Sequence, residues 1–254
     1  MQDSPSPMVE VKKVFLRFKQ VEALRDVSFD VERQTIFGLV GSDGAGKSSM
    51  LRLIAGMLKP SLGTIRINGL DVTEQHGKIK QLIGYMPQRF GLYPDLTVDE
   101  NMAFFMDVFG IARAERKKRR EKYLGFSNLL PFANRPAGNL SGGMKQKLGL
   151  ACVLVHEPRL LILDEPTNGV DPVSRHEFWD ILNNMKQEGM TMIISTAYLD
   201  EGEMCDSLGV MHQSVLLASA PPDVISGGQN SLEEAIILQI EQKNGDLAHD
   251  TFQL

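Results

Sequence analysis

The sequence predicts an α/β fold: a core of parallel strands and helices, a β-rich layer at the N-terminus and a helical insert near residues 89–157. Short apolar runs carry this prediction. TIFGLV (35–40) is typical of a buried strand, and RLLILDE (159–165) is typical of a strand that is buried on both faces of a parallel sheet. The first run leads straight into a glycine-rich turn and a helical pattern, an alternation that favours the α/β class.

The N-terminal layer is predicted from three runs. VEVKKVFLRF (9–18) and residues 27–31 have the length and composition of short strands. TIRING (64–69) is expected to be an edge strand that ends in a turn. Residues 1–8, MQDSPSPM, are rich in Ser and Pro, so we expect a disordered lead before the folded domain.

The remaining elements follow in order along the chain. IGYMP (83–87) is predicted as a strand, and helical patterning covers residues 97–130 and 141–155. A further helix is expected over residues 174–187, where the apolar side chains follow the helical period. The C-terminal part is predicted as three short strands and a helix with a tail: TMIIST (191–196), LGVMHQ (208–213), VLLASA (215–220) and residues 231–254.

Length and composition are those of an ordinary globular chain. With 254 residues it can bury a substantial core, and we expect one domain over residues 9–230. The net charge of −5 weighs against a dedicated nucleic-acid binder, which is usually basic. No apolar run approaches the roughly 20 residues of a membrane span, so transport would need another polypeptide or a further segment to form the pore. Cys152 and Cys205 lie far apart and are expected to be reduced core residues.

A glycine-rich segment, GSDGAGKS (41–48), has the pattern G-x-x-x-x-G-K-[ST]. Small residues let the main chain wrap a triphosphate with several N–H donors, and the next helix directs its positive N-terminus at the same phosphates. Lys47 is expected to reach the β- and γ-phosphates, and the Ser48 hydroxyl to join the shell of a Mg²⁺ ion. A glycine-rich turn that carries Lys-Ser by chance is disfavoured by the position between a strand and a helix. The predicted nucleotide-binding residues are Gly41, Ser42, Asp43, Gly44, Ala45, Gly46, Lys47, Ser48 and Ser49.

Two adjacent carboxylates, Asp164 and Glu165, end the second apolar run. Asp164 is expected to hold Mg²⁺ through a water, and Glu165 to face the attacking water as general base. An Asp-Glu pair after apolar residues is a weak signal by itself. Together with the upstream phosphate loop it becomes a strong signal for a nucleotide site with Mg²⁺ and a general base.

A third motif, LSGGM (140–144), lies shortly before the Asp-Glu pair. With it, the sequence resembles the ATP-binding cassette (ABC) family over roughly residues 9–240, and its motifs follow the family's order. The resemblance implies a P-loop NTPase with a RecA-like core, an antiparallel β subdomain and an α-helical subdomain. It makes Phe18 the aromatic that stacks on adenine, Gln88 the Q-loop residue that serves the metal and the reaction, and TNGVD (167–171) the D-loop.

The LSGGM segment has a physical logic of its own. Ser141, Gly142 and Gly143 stand at a helix N-terminus, where N–H groups can bind phosphate. In the family these residues contact the γ-phosphate held by the opposite domain, so the resemblance implies a second ABC domain as partner, either in a homodimer or as one half of a tandem protein. A plain helix cap is the alternative for this segment alone. The resemblance gives three catalytic residues: Glu165, Gln88 and Lys47.

The longer segments YMPQRFGLYPDLTVDEN and STAYLDEGE narrow the resemblance. They are similar to the ATPase parts of bacterial drug exporters of the second ABC class, some of which carry two cassettes in tandem. This implies a transmembrane permease as partner, contacted through Gln88 and the residues after it, and a location on the cytoplasmic face of the bacterial inner membrane. Specificity for the exported compound would then lie in the permease.

One position departs from the family pattern. After the TMIIST strand the family places a histidine that contacts the γ-phosphate, and this chain has Ala197. Alanine donates no side-chain hydrogen bond, so the hypotheses are a degenerate site of an asymmetric pair, slow hydrolysis supported by Glu165 and Gln88, or a histidine replaced for study. His212 is expected not to substitute, because it belongs to the next strand.

Two other functions share these motifs. A soluble ABC protein acting on ribosomes or DNA has the same nucleotide site, although the charged linkers or long arms of that class are not seen here. The basic run ARAERKKRREKY (112–123) is expected to be a solvated helix face, with contact to anionic lipid or ribosomal RNA as the alternative. Ala197 favours a third hypothesis, a regulatory cassette that binds ATP and hardly hydrolyses it.

Overall fold

The computed structural model describes residues 6–229 and 231–250. Its strands, in chain order, are β1 (Val9–Phe18), β2 (Val21–Val31), β3 (Ile36–Val40), β4 (Leu62–Ile67), β5 (Leu70–Asp71), β6 (Ile83–Met86), β7 (Leu160–Asp164), β8 (Thr191–Thr196), β9 (Ser207–His212) and β10 (Val215–Ala220). Its α-helices are α1 (Lys47–Ile54), α2 (His76–Leu82), α3 (Val98–Val108), α4 (Arg113–Phe126), α5 (Gly142–Leu154), α6 (Pro172–Gln187), α7 (Leu199–Gly202), α8 (Pro222–Ser226) and α9 (Leu232–Asp250).

A four-stranded antiparallel sheet forms the N-terminal layer, in the order β2-β1-β4-β5. The expectation that TIRING is an edge strand is wrong, because β4 pairs with β1 on one side and with the two-residue strand β5 on the other. The prediction of a disordered lead over residues 1–8 is wrong for its last residue, Met8. Its N–H donates to the Val31 carbonyl at 2.7 Å, and its side chain is buried under the sheet. Residues 1–5 of that lead and residues 251–254 of the predicted tail lie outside the described part of the chain.

The second sheet has six strands in the order β10-β9-β3-β8-β7-β6. All neighbours are parallel except β10, which pairs antiparallel with β9. The strands β3 and β7 are buried along their whole length, so the predicted burial on both faces is confirmed. Because β3, β8 and β7 are parallel neighbours, the loops that follow them meet at one edge of the sheet.

Helices dominate the chain between β6 and β7. The predicted helical stretch 97–130 is divided into α3 and α4. Thr97 caps α3, since its hydroxyl accepts from the Glu100 N–H while the Glu100 carboxylate accepts from the Thr97 N–H. The third helix of this region, α5, packs against both α3 and α6. We retain the division into a core and a helical insert over 89–157 as a proposal.

The basic helix α4 is bound to its surroundings. Four of its cations form ion pairs, including a two-bond contact from Arg120 to Asp99 at 2.7 Å. Arg119 also donates to the Val155 carbonyl, which ties α4 to the end of α5. These contacts give the basic run a structural role besides solvation. The other ion pairs of α4 are Arg116–Asp107, Arg119–Glu115, Arg119–Glu157 and Lys122–Glu188.

The two cysteines agree with the sequence prediction of reduced core residues. Both cysteines are free and buried; burial raises the pKa of the Cys205 thiol to about 12, and burial also raises the pKa of the Cys152 thiol. Neither thiol therefore has the exposure or the low pKa of a reactive cysteine. In the described ranges, no helix combines the length and apolar character that crossing a membrane requires.

Candidate nucleotide site

The phosphate loop, residues 41–48, connects β3 to α1, as its position in the sequence predicted. Glycine is required at two points. A Cβ on Gly41 would lie 2.2 Å from the Met211 carbonyl oxygen. Gly46 has a φ of 108°, and a Cβ there would lie 2.8 Å from the Ala23 carbonyl oxygen. Larger residues are therefore excluded at both points, and residues 43–48 of the loop form a cradle that lines an open cavity.

The cradle opens into a cavity of about 440 Å³. Most of the predicted phosphate loop lines it, while Gly41 and Ser42 lie behind and present carbonyl groups to Lys47. The predicted residues that line the cavity are Asp43, Gly44, Ala45, Gly46, Lys47, Ser48, Ser49, Gln88 and Glu165. Four further lining residues were not predicted from the sequence: Val21, Glu22, Ala23 and Ser214.

These additional residues close the end of the cavity that faces the antiparallel sheet. The N–H of Ser214 donates to the Ala45 carbonyl at 3.2 Å, and its hydroxyl donates to the Glu22 carbonyl at 2.8 Å. Phe18 is not among the lining residues; it is 47% exposed, and its cross-strand partner Val21 lines the cavity instead. Stacking of Phe18 on a base therefore stays a prediction, with Phe18 beside the mouth of the cavity.

Lys47 is almost wholly buried, with 4% of its surface exposed. Its ammonium donates to the carbonyls of Gly41 at 2.7 Å and Ser42 at 3.2 Å, and it lies 3.3 Å from Oε1 of Glu165. The cation at the phosphate loop and the predicted general base are thus direct neighbours. This ion pair compensates two buried charges inside the cavity.

Asp164 lies at the end of β7 with its carboxylate directed at α1. Its Oδ1 accepts from the hydroxyls of Ser48 at 2.9 Å and Ser195 at 2.8 Å. The Tyr85 hydroxyl lies 3.4 Å from Oδ2, and burial, followed by the Asp164 charge, raises the pKa of Tyr85. A hydroxyl and a carboxylate side by side are the hard oxygen ligands that Mg²⁺ prefers, so this pair fits the predicted ion.

Besides Lys47, three residues hold Glu165 in place. Its Oε2 accepts from the side-chain amides of Gln88 at 2.8 Å and Asn168 at 3.1 Å. Its main-chain N–H donates to the hydroxyl of Ser195 at 3.0 Å, and its φ of 48° turns the chain away from β7. Gln88 and Glu165, predicted from distant motifs, are therefore brought together at one end of the cavity.

The LSGGM segment lies outside this cavity. Ser141 caps α5 by accepting from the Met144 N–H at 3.2 Å, and neither Ser141 nor its two glycines line the cavity. The two glycines differ. A Cβ on Gly142 would meet nothing within 4 Å, whereas a Cβ on Gly143 would lie 2.5 Å from Cβ of Ser174 in α6. Gly142 is thus open to an incoming ligand, and Gly143 allows α5 to approach α6.

This difference predicts opposite effects on stability. Gly143→Ala should lower the free energy of unfolding by about 1–3 kcal/mol, because the added methyl overpacks the α5–α6 contact. Gly142→Ala, the matched control, should raise it by up to about 1 kcal/mol, because alanine favours helix and has room. Urea denaturation of both variants checks this. Equal free energies of unfolding for the two variants would contradict this prediction, because they would show that α5 and α6 can move apart without loss of stability.

Comparison with known proteins decides the family. Residues 24–168 match the family model described as ABC transporter. The chain belongs to the ABC transporter family. This confirms the expected family and the P-loop NTPase fold. The ATPase domains of this family bind ATP.

Two curated relatives and one solved structure illustrate the likeness. The chain is 47% identical over 191 residues to the probable multidrug ABC transporter ATP-binding protein YbhF of Escherichia coli (strain K12). These 191 residues are 75% of this chain and 33% of that protein. It is 34% identical to the linearmycin resistance ATP-binding protein LnrL of Bacillus subtilis (strain 168), over 83% of this chain and 68% of the relative. A solved ATP-binding subunit of an ABC transporter superposes with a TM-score of 0.81 at 30% identity, over 92% of this chain and 99% of that one. The chain thus spans about a third of the length of the E. coli relative.

Proposed function

We propose that this chain is the ATP-hydrolysing domain of a membrane exporter and that it acts as a dimer closed around Mg-ATP. The observation that carries the proposal is that Lys47, Ser48 and Glu165 line one cavity and that Asp164 accepts a hydrogen bond from Ser48. The family assignment supports ATP as the ligand. The names of the relatives, a probable multidrug transporter and a linearmycin resistance protein, support export as the process.

ATP would lie with its phosphates in the loop 41–48. Lys47 would exchange its contacts with the Gly41 and Ser42 carbonyls for the β- and γ-phosphates. Ser48 and Asp164, with Gln88, would hold Mg²⁺, which neutralises phosphate charge when bound. The base and ribose would extend toward Val21 and Phe18. Lys47, Ser48, Gln88 and Val21 line the cavity. Asp164 is placed by its hydrogen bond from Ser48, and Phe18 by its pairing with Val21.

Hydrolysis needs a base beside the γ-phosphate. Glu165 is that group in our proposal: it accepts a proton from the attacking water as the water oxygen bonds to phosphorus and the bond to the β-phosphate oxygen breaks. Gln88 and Asn168 donate to one oxygen of Glu165, which leaves Oε1, next to Lys47, directed toward the substrate. Gln88 would in this way orient both the base and the metal.

A second cassette would complete the site. The segment Ser141–Gly142–Gly143 does not line the cavity of its own chain, and Gly142 has open space before it. These residues can therefore serve the γ-phosphate of an opposite domain, so that ATP forms part of the interface and dimerisation depends on nucleotide. That domain is either a second copy or the other half of a tandem protein.

The permease and the location belong to the same proposal. Cell fractionation tests them: a chain that acts with a permease should be found at the cytoplasmic face of the inner membrane and be recovered with membranes. Recovery with ribosomes or nucleic acid would instead support the soluble ABC class. A hydrolysis-poor cassette is the second candidate function, and Ala197, exposed in the loop after β8, is the observation that favours it.

Lys47→Ala tests nucleotide binding directly. The variant loses the charge-assisted hydrogen bonds from the ammonium to the phosphates, which are worth about 1.5–3 kcal/mol. Mg-ATP affinity should therefore fall by roughly 10- to 100-fold. Titration with a fluorescent ATP analogue measures it. Lys145→Ala, a cation at the start of α5 outside the cavity, is the control. Equal affinity of Lys47→Ala and the unmodified chain would contradict the assignment of the phosphate loop.

A further inference from the structure

A buried carboxylate outside the cavity joins the two loops that flank the site. Glu201 lies in α7, in the segment that follows β8, and none of its surface is exposed. It lies within the segment STAYLDEGE, but it is not one of the residues that the motifs place at the nucleotide. A buried carboxylate is stable only when hydrogen bonds and a counter-charge compensate its lost hydration, so its partners indicate what it holds together.

The two oxygens of Glu201 bind hydroxyls from different loops. Oε1 accepts from Thr167 at 2.5 Å, two residues after Glu165, and Oε2 accepts from Thr196 at 2.6 Å, the last residue of β8. Both threonines are buried. The Thr196 hydroxyl also accepts from the Tyr198 N–H at 3.0 Å, so it fixes the backbone on both sides of position 197.

Arg175 supplies the counter-charge from α6. Its Nε lies 3.7 Å from Oε1 of Glu201, and its guanidinium stacks over the Tyr198 ring at 4.3 Å. It also reaches Asp200 at 3.5 Å. Glu201 is thus the centre of a cluster that connects the loop after β7, helix α6 and the loop after β8.

We propose that Glu201 is a positioning residue for ATP hydrolysis: it locks the loop that carries Glu165 to the loop that carries position 197. Thr167 and Asn168 are adjacent, and Asn168 donates directly to Glu165, so a shift of Thr167 moves a hydrogen-bond partner of the general base. On the other side, Thr196 and Tyr198 set where the side chain at position 197 faces. The inference rests on the proposed hydrolysis and adds a residue that would act through both loops without touching ATP.

The first test separates catalysis from binding. Glu201→Gln should lower kcat by about 10- to 100-fold, the effect of a misplacement of about 1 Å, while KM for ATP and Mg-ATP affinity stay nearly constant. Thr167→Val, which keeps the shape and removes the hydroxyl, should act likewise, and Thr167→Ser should recover most of the loss. Glu203→Gln, an exposed neighbour in the same turn, is the matched control.

Each outcome decides the matter. A selective loss of kcat that Thr167→Ser recovers supports the positioning role. Parallel losses of kcat and ATP affinity, or a normal kcat in the folded fraction of Glu201→Gln and Thr167→Val, overturn it. All rates are also measured in the Ala197→His background, where faster turnover should make a reduction easier to detect.

A second measurement is independent of turnover. Hydrogen exchange should accelerate in Glu201→Gln both over residues 165–171 and over 196–202, because the bond between the two loops is lost. Acceleration confined to 196–202 overturns the link. If neither the chain nor Ala197→His hydrolyses ATP, the proposed function fails, while this exchange pattern still decides whether Glu201 joins the loops.

Discussion

Glu165→Gln is expected to slow ATP hydrolysis by about 10²- to 10⁴-fold while ATP binding is retained. Glutamine keeps the shape of the side chain and can still contact Gln88 and Asn168, but it cannot accept a proton from water. The ion pair with Lys47 is also lost, which leaves the ammonium available to phosphate. Single-turnover hydrolysis and nucleotide titration measure the two effects separately.

The same variant should accumulate as an ATP-bound dimer. If the γ-phosphate joins two cassettes, a chain that binds ATP and fails to cleave it keeps the interface intact. Analytical ultracentrifugation with ATP, with ADP and without nucleotide detects this, and Glu203→Gln is the matched control. A monomer under all three conditions would remove the support for the closed dimer, and unchanged turnover would remove Glu165 as the base.

Ala197→His is expected to raise kcat by about 10²- to 10³-fold with little change in ATP affinity. Ala197 follows β8 directly, and β8 is the parallel neighbour of β7, which ends in Asp164 and precedes Glu165. A histidine there could donate to the γ-phosphate as charge shifts in the transition state, whereas binding in the ground state already uses the phosphate loop. Steady-state kinetics over a range of ATP concentrations separates kcat from KM.

The control for this variant is Ala197→Asn, which adds a polar side chain without the imidazole. Equal turnover of the unmodified chain and Ala197→His would show that position 197 does not limit hydrolysis, and the degenerate-site hypothesis would then be dropped. His212 offers no replacement, since it lies in β9 and is not a lining residue of the cavity.

Local patterns predicted most of the site. The phosphate loop follows from residue types that alone can wrap a triphosphate, and Asp164 and Glu165 follow from their place at the end of a buried strand. Gln88 came from the family resemblance, and its contact with Glu165 is found in the structure. In each case the chemistry and the local conformation are encoded within a few consecutive residues.

Contacts between distant segments could not be predicted in this way. Ser214 lines the cavity because it donates hydrogen bonds from the β9–β10 turn to the carbonyls of Ala45 and Glu22. The sequence of the turn does not indicate these two partners. The edge position given to TIRING was wrong because β5 is only two residues long and gives no pattern. Glu201 is one of three acids in LDEGE (199–203), and its complete burial, which distinguishes it from Asp200 and Glu203, is visible only in the structure.

The strand order has a consequence for the order of folding. The strand β3 has β8 and β9 as its neighbours, and the Ile36 N–H donates to the Asp206 carboxylate, 170 residues further along the chain. During synthesis, the strand that leads into the phosphate loop therefore has no neighbouring strand in its sheet until most of the chain has been made. Contacts of such long sequence separation form slowly. The Met211 carbonyl that abuts Gly41 also arrives late, so the cradle for phosphate is completed among the last parts of the domain, and ATP binding reports on a chain that has finished folding.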